Sequence, residues 1–207
     1  MPSPEIEAAA AESELIRSAL DLAERAHAGQ VRSGSGGMAY IHHPVAVAEL
    51  LAEHGYDEET VAAALLHDVV EDSETSVAEI EARFGEPVAR LVETLSDDES
   101  IEPYKRRKDE HRRRVQEGGS KALAIYAADK LSNVRVLRRA YASEGEAAGE
   151  EFKAPLGVKL EIWEADLEML RRQPSPRFVE DLAAELEKLR QARARTSAAA
   201  DPAPPRS

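Results

Sequence analysis

The chain has 207 residues, 43% hydrophobic but only 4% aromatic, and no cysteine. That fits one Ala/Leu-rich domain with tails and excludes disulfides, thiolate metal sites and a cysteine nucleophile. A net charge of −13 argues against a general nucleic-acid binder. No apolar run approaches the roughly 20 residues that span a bilayer. The acidic start Met1-Pro-Ser-Pro-Glu5 lacks the regions of a signal peptide. The expectation is a cytoplasmic protein with neither a nucleic-acid nor a membrane partner, its oligomeric state left open.

Residues 1–11 read as a disordered N-terminus, residues 12–196 as one domain, and the Ala/Pro-rich residues 197–207 as a disordered tail. A first helix is predicted from about Ser13 to Ala28, ended by Gly29, before the glycine-rich loop Val31–Met38. Tyr40-Ile-His-His-Pro44 opens a second helix, with Pro44 in its first turn and Gly55 at its stop. Asp57 caps a third, which is expected to carry Leu65-Leu-His-Asp-Val-Val-Glu-Asp72 without interruption. Ser76 and Glu79 form a capping box for a fourth, Gly85 closes it, and Pro87 starts a fifth that ends near Ser96. A basic helix follows to about Glu117 and is broken by Gly118-Gly119. A long helix spans about Lys121 to Tyr141, and Gly145–Gly149 is a loop. Another helix runs from about Pro155 to Arg172, and a last one, capped by Ser175-Pro176, ends near Arg195. No alternating strand pattern occurs. The fold class is all-α, a globule of about eight or nine helices.

The informative segment is His67-Asp-Val-Val-Glu-Asp72. On a helix, Glu71 lies four residues after His67 and Asp72 four after Asp68, so the two pairs share a face. Buried ionisable groups need a partner or a metal. Asp129, within the apolar stretch Ala124-Ile-Tyr-Ala-Ala-Asp129, has the same need, and Asn133 follows it on the same face. His43 is held extended ahead of Pro44 and is preferred over His42. His43, His67, Asp68 and Asp129 together make a mixed N/O metal set. Manganese suits it, with Fe2+, Zn2+ or Mg2+ as alternatives. Glu71 and Asp72 are the candidates to orient or deprotonate a water. A core histidine paired only with Asp68 would leave Asp129 unexplained. His27, His54 and His111 read as ordinary. Between Pro103 and Arg139 stand 12 Lys/Arg and 4 Asp/Glu. This basic island is either a subsite for an anionic ligand or a solvated face with intrahelical ion pairs.

These pieces resemble the HD superfamily of metal-dependent phosphohydrolases. More narrowly, they resemble the alarmone hydrolases, meaning the hydrolase domains of RelA/SpoT proteins and the small stand-alone enzymes. The resemblance runs from about Leu15 to Arg172. It rests on Gly29-Gln30 with Arg32, Tyr40-Ile-His-His-Pro44, Leu65–Asp72, Phe84-Gly85, Leu91-Val-Glu-Thr94 and Ala128-Asp-Lys-Leu-Ser-Asn133. It implies an HD-domain helical fold that removes the 3′-pyrophosphate of ppGpp or pppGpp with manganese, yielding GDP or GTP. By that resemblance His43, His67, Asp68 and Asp129 hold the metal, and Glu71 and Asp72 activate the attacking water. Asn133 touches the nucleotide near its sugar, and Arg32 packs on the base, with Ser33 beside it. Ser33 stands where a basic residue often follows the arginine, Tyr126 where a lysine is common, and Leu95-Ser-Asp-Asp98 departs from the usual Thr-Lys or Thr-Asp. Too little chain follows Arg172 for a synthetase domain, so degradation of an alarmone is expected, not synthesis. The rival expectations are an HD phosphohydrolase of another nucleotide, such as NADPH or a nucleoside monophosphate, and a non-catalytic alarmone sensor.

Overall fold

A computed structural model describes residues 4–33, 35–145, 154–173 and 177–200, with side chains up to residue 195. Among these residues there are eleven helices and no strand. They are α1 (Pro4–Glu12), α2 (Glu14–Ala26), α3 (His42–Glu53), α4 (Glu58–Leu66), α5 (Val69–Asp72), α6 (Val77–Phe84), α7 (Glu86–Leu95), α8 (Tyr104–Glu117), α9 (Gly119–Glu144), α10 (Leu156–Arg171) and α11 (Val179–Ala200). No helix among the described residues is long and apolar enough to cross a membrane. The expected loop at 146–149 and the Ser175-Pro176 cap lie outside the described residues.

The all-α expectation holds, and the extra helices have two sources. Residues 4–12, expected to be disordered, form α1, which packs on α2 and α3. Its stripe is only Ile6 and Ala10, 0% and 7% exposed, too short for periodicity to reveal in an Ala/Glu-rich segment. The second source is a break between α4 and α5, at the residues the sequence placed mid-helix.

Local signals otherwise decide the helix ends. The Asp57 side chain accepts the Thr60 N–H at 3.0 Å and starts α4. Ser76 and Glu79 form the expected capping box of α6. Gly119, with φ +83°, turns the chain from α8 into α9 where a side chain would be strained. A Cβ on Gly118 would meet Thr94 Cγ2 at 2.6 Å, so α7 packs directly on that corner.

Two helices organise the core. In α4 every residue from Thr60 to Leu66 is buried, an apolar surface on all sides, and it packs among α2, α3 and α7. Each fully buried leucine there contributes about 1.5–3 kcal/mol. The long α9 packs on α3, α8 and α11. The C-terminal end of α4 and the middle of α9 deliver the functional side chains.

Candidate metal centre

The chain leaves the α-helix at His67 and Asp68 and resumes it at Val69, whose side chain is fully buried. Asp68 takes φ −97° and ψ −6° and serves as the N-terminal cap of α5, its carbonyl accepting the Glu71 and Asp72 N–H groups at 3.2 and 3.0 Å. The four-residue spacing therefore does not stack His67 over Glu71 on one continuous helix. The turn instead aims the His67 and Asp68 side chains inward together.

His67 Nδ1 lies 2.7 Å from the Ala64 carbonyl, which can only accept, so the proton is on Nδ1 and the lone pair on Nε2. That buried Nε2 has no hydrogen-bond partner and sits 3.2 Å from Asp68 Oδ1. His43, from the first turn of α3, sets Nε2 3.2 Å from Asp129 Oδ1 and 3.4 Å from Asp68 Oδ2, while its Nδ1 meets Ser132 Oγ at 3.2 Å. Ligand atoms of His43, His67 and Asp129 lie within 4.8 Å of one another. Neighbouring ligands around one ion at about 2.0–2.2 Å would close to about 3 Å, so the four residues need only small adjustments. An unpartnered buried lone pair facing carboxylates is what a divalent cation satisfies, and the donor set fits one.

The electrostatics agree. Burial, then Arg32, lowers His43 to about 4, which keeps it in the neutral form that ligates. Burial opposes charge on Asp129, yet Lys130 and the two histidines hold it well below the carboxylate range. Burial also opposes charge on His67, but Asp68, Asp129 and Glu71 raise its affinity for a proton, the mark of a negative pocket at that nitrogen.

Surrounding groups orient these four. The Tyr40 hydroxyl donates to Asp68 Oδ2 at 2.7 Å, and its ring stacks on His27 at 4.8 Å. Asn133 Nδ2 donates to Asp129 Oδ1, and Arg32 donates to Asn133 Oδ1 at 2.8 Å. Arg32 is therefore buried and tied to the metal set through Asn133, whereas Ser33 is exposed on its loop. Glu71 lines the cavity, of about 150 Å³, together with the four candidate ligands. Its Oε1 accepts the Asp97 N–H at 2.7 Å, and desolvation, then the Asp68 charge, pushes its carboxyl up to about 7. Asp72 is not among the lining residues and acts on Tyr40 from the side.

Sequence reasoning missed Tyr40, Ser132, Lys130 and the Asp97 backbone as supporting groups. It also took His27 and His111 as ordinary. His111 is 5% exposed, lines the cavity and has neither ring nitrogen hydrogen-bonded. The available signal was position: Tyr40, Lys130 and Ser132 lie within the quoted motifs. The basic helix resolves mostly into ion pairs. Arg112 binds Asp109 and Asp166, Arg113 binds Glu110 and Glu117, and Lys108 binds Asp97 at 2.7 Å.

Helices on all sides of a buried His/Asp cluster define an HD-type metal-site protein. The HD domain model matches residues 19–163, and the chain belongs to that family. It is 38% identical over 130 residues to human guanosine-3′,5′-bis(diphosphate) 3′-pyrophosphohydrolase MESH1, covering 62% of this chain and 72% of that one. It is 37% identical over 161 residues to the Aquifex aeolicus guanosine-3′,5′-bis(diphosphate) 3′-pyrophosphohydrolase, covering 73% of this chain but only 22% of the relative. A solved structure described as a metazoan ortholog of SpoT that hydrolyses ppGpp superposes with a TM-score of 0.66 at 26% identity, covering 93% of this chain and 97% of that one. Listeria monocytogenes lmo0812 superposes with a TM-score of 0.64 at 32% identity over 70% of this chain and 96% of its own.

Proposed function

We propose that the chain hydrolyses the 3′-pyrophosphate of guanosine 3′,5′-bis(diphosphate) and its 5′-triphosphate counterpart, giving GDP or GTP plus pyrophosphate, in the cytoplasm. His43, His67, Asp68 and Asp129 would hold one divalent cation, manganese by the mix of imidazole and carboxylate. Such a cation, when bound, supplies Lewis-acid polarisation of a phosphoryl oxygen and acidifies water.

The residues divide the remaining work. Glu71, poised near neutrality, accepts a proton from the attacking water, and the Asp97 N–H fixes which oxygen is free to do so. The water oxygen bonds to the 3′-phosphorus as the bond from the ribose 3′-oxygen to that phosphorus breaks, and the proton taken up by Glu71 is returned to the 3′-oxygen, which leaves as a hydroxyl. Tyr40 and Asn133 hold Asp68 and Asp129 in orientation. Asp72, which also interacts with Tyr40, shares the handling of that water with Glu71. Arg32, held by Asn133, and the exposed Ser33 would meet the nucleoside.

The observation that carries this reading is the unpartnered His67 Nε2 among His43, Asp68 and Asp129 with Glu71 beside them. It is supported by relatives that bear the activity in their names. The test is incubation of the manganese-loaded chain with ppGpp and separation of the products. GDP and pyrophosphate in equal amounts support the reading. Orthophosphate alone, or turnover only of NADPH or a nucleoside monophosphate, overturns the substrate. Tight binding without turnover across divalent metals makes the chain a sensor.

A further inference from the structure

Among the described residues, the polar side chains that line the metal cavity are engaged by the protein, with His111 as the exception. Tyr40 is bonded to Asp68, Lys108 to Asp97, Tyr126 to Asp166, and Lys130 and Asn133 to Asp129. His111, on α8, lines the same cavity and is 5% exposed, yet neither of its ring nitrogens has a hydrogen-bond partner. Asp97 Oδ1 stands 3.9 Å from its Nδ1, too far for a hydrogen bond, and that oxygen is itself unpartnered. The buried His27, by contrast, has Gln30 Oε1 at 2.8 Å from its Nδ1.

A neutral imidazole carries one N–H and one lone pair. A buried N–H without an acceptor is unfavourable, so at the wall of a cavity it marks a group that a ligand completes. The charge around His111 says which kind of ligand. Lys108 and Lys130 both lower its affinity for a proton, and the same field disfavours a metal cation at this nitrogen. An anionic oxygen is the fitting partner. Burial and the two lysines also keep the ring neutral, and a neutral ring still donates its N–H. The ring is already placed: it meets Tyr126 edge to face, with ring centres 5.4 Å apart and planes at 90°. A donor fixed before the reaction needs no reorganisation when charge develops. Asp97 connects this donor to the base, since its N–H bonds Glu71 Oε1 while its carboxylate stands beside His111.

We propose that His111 is a further catalytic residue of this centre: as a neutral imidazole it donates its N–H to a non-bridging oxygen of the phosphoryl group under attack. It thereby shares with the cation the negative charge that grows on that oxygen. Its proton stays on the ring throughout, so the proton balance between the water, Glu71 and the 3′-oxygen is unchanged. This rests on the hydrolase reading above.

The experiment compares wild type with His111→Leu, His111→Asn and His111→Gln, all manganese-loaded, on ppGpp. In His111→Leu, kcat should fall by about 10²- to 10³-fold, as when one preorganised donor is removed. KM should stay within about threefold, because the bond strengthens in the transition state, and manganese content after desalting should be unchanged. Asn carries an amide donor near the place of Nδ1 and Gln near that of Nε2, so one of the two should regain about tenfold or more in kcat over Leu. A packing role alone predicts the reverse order, with Leu at least as active as either amide. That order, or a kcat in His111→Leu equal to wild type, overturns the proposal. So does a falling limb in wild-type kcat at high pH that the rescuing amide removes, since that would make His111 a titrating acid. Contact is read without turnover from the His111 ring N–H proton by NMR, with diamagnetic magnesium in place of manganese and inorganic pyrophosphate as the probe. The proton should move downfield on adding the probe and be missing in His111→Gln. If wild type hydrolyses no ppGpp but this shift appears, the hydrolase reading fails and the anion contact stands. If neither turnover nor the shift is seen, both fall.

Discussion

Asp129 supplies the one carboxylate that reaches the centre from α9, and its 3.2 Å approach to His43 joins elements far apart in sequence. Asp129→Ala should abolish stoichiometric manganese binding, read by metal content after desalting. It should cut turnover by roughly a thousandfold or more, since the cation's stabilisation of transition-state charge is lost. A variant that keeps both removes the metal assignment. Glu71→Gln is the complementary change: manganese should still bind, while kcat drops by about 10²- to 10⁴-fold. Its raised carboxyl, about 7, fixes the sign of the pH dependence. A base works when deprotonated, so wild-type kcat should rise with pH and level off. A bound cation adds positive charge, so the midpoint should fall at or below about 7. The limb should vanish in Glu71→Gln, and an identical limb there would transfer the titration to another group. The candidate ligands were legible because each is an ionisable group in an apolar stretch. Tyr40 was not legible as Asp68's partner, because nothing in residue spacing says which of two motifs a hydroxyl will reach.

Helix boundaries were largely readable from caps: Asp57, Ser76 with Glu79, and Gly118-Gly119 act as their chemistry requires. The break at His67-Asp68 was not, since no glycine or proline marks it, and the contact Asp68 makes there, with the Tyr40 hydroxyl, comes from a segment 28 residues away. The basic α8 shows the same limit. Its composition suggested either a ligand site or a paired face. The structure favours the paired face: most cations pair with carboxylates, and Lys108, at the wall of the metal cavity, is itself paired with Asp97. His111, on this helix, is buried against Tyr126 and near the Lys108–Asp97 pair. Burial, then the Lys130 and Lys108 charges, lowers it to about 3. The unfolded chain takes up that proton near pH 6.5 and the folded chain does not, so stability is lost as pH falls from about 6.5 toward 3. In the cation-free protein, denaturant titrations at pH 7 and pH 5 should show His111→Leu losing less stability than wild type over that interval. The difference should be on the order of 2 kcal/mol. The buried His43, also lowered, contributes equally to both proteins and drops out of the comparison. Equal losses would mean that His111 is hydrated in solution.

At the scale of the molecule, the site depends on α3, α4 and α9 keeping fixed relative positions, and α1 bears on that arrangement although it is remote in sequence. It packs on α2, the neighbour of α4, and on α3, whose first turn carries His43. Ile6 is completely buried in that contact. A chain end without structure would tolerate any substitution there to within about 0.5 kcal/mol. A docked α1 would not: Ile6→Ala removes core volume and should cost about 2–5 kcal/mol, read by urea unfolding. Lys105→Ala, exposed on α8, serves as the comparison and should change stability by less than about 0.5 kcal/mol. Because α1 joins the same apolar cluster as α3 and α4, Ile6→Ala should lower one cooperative transition and not split it into two. A separate early transition, or no shift at all, would detach the N-terminal helix from the domain that holds the metal centre.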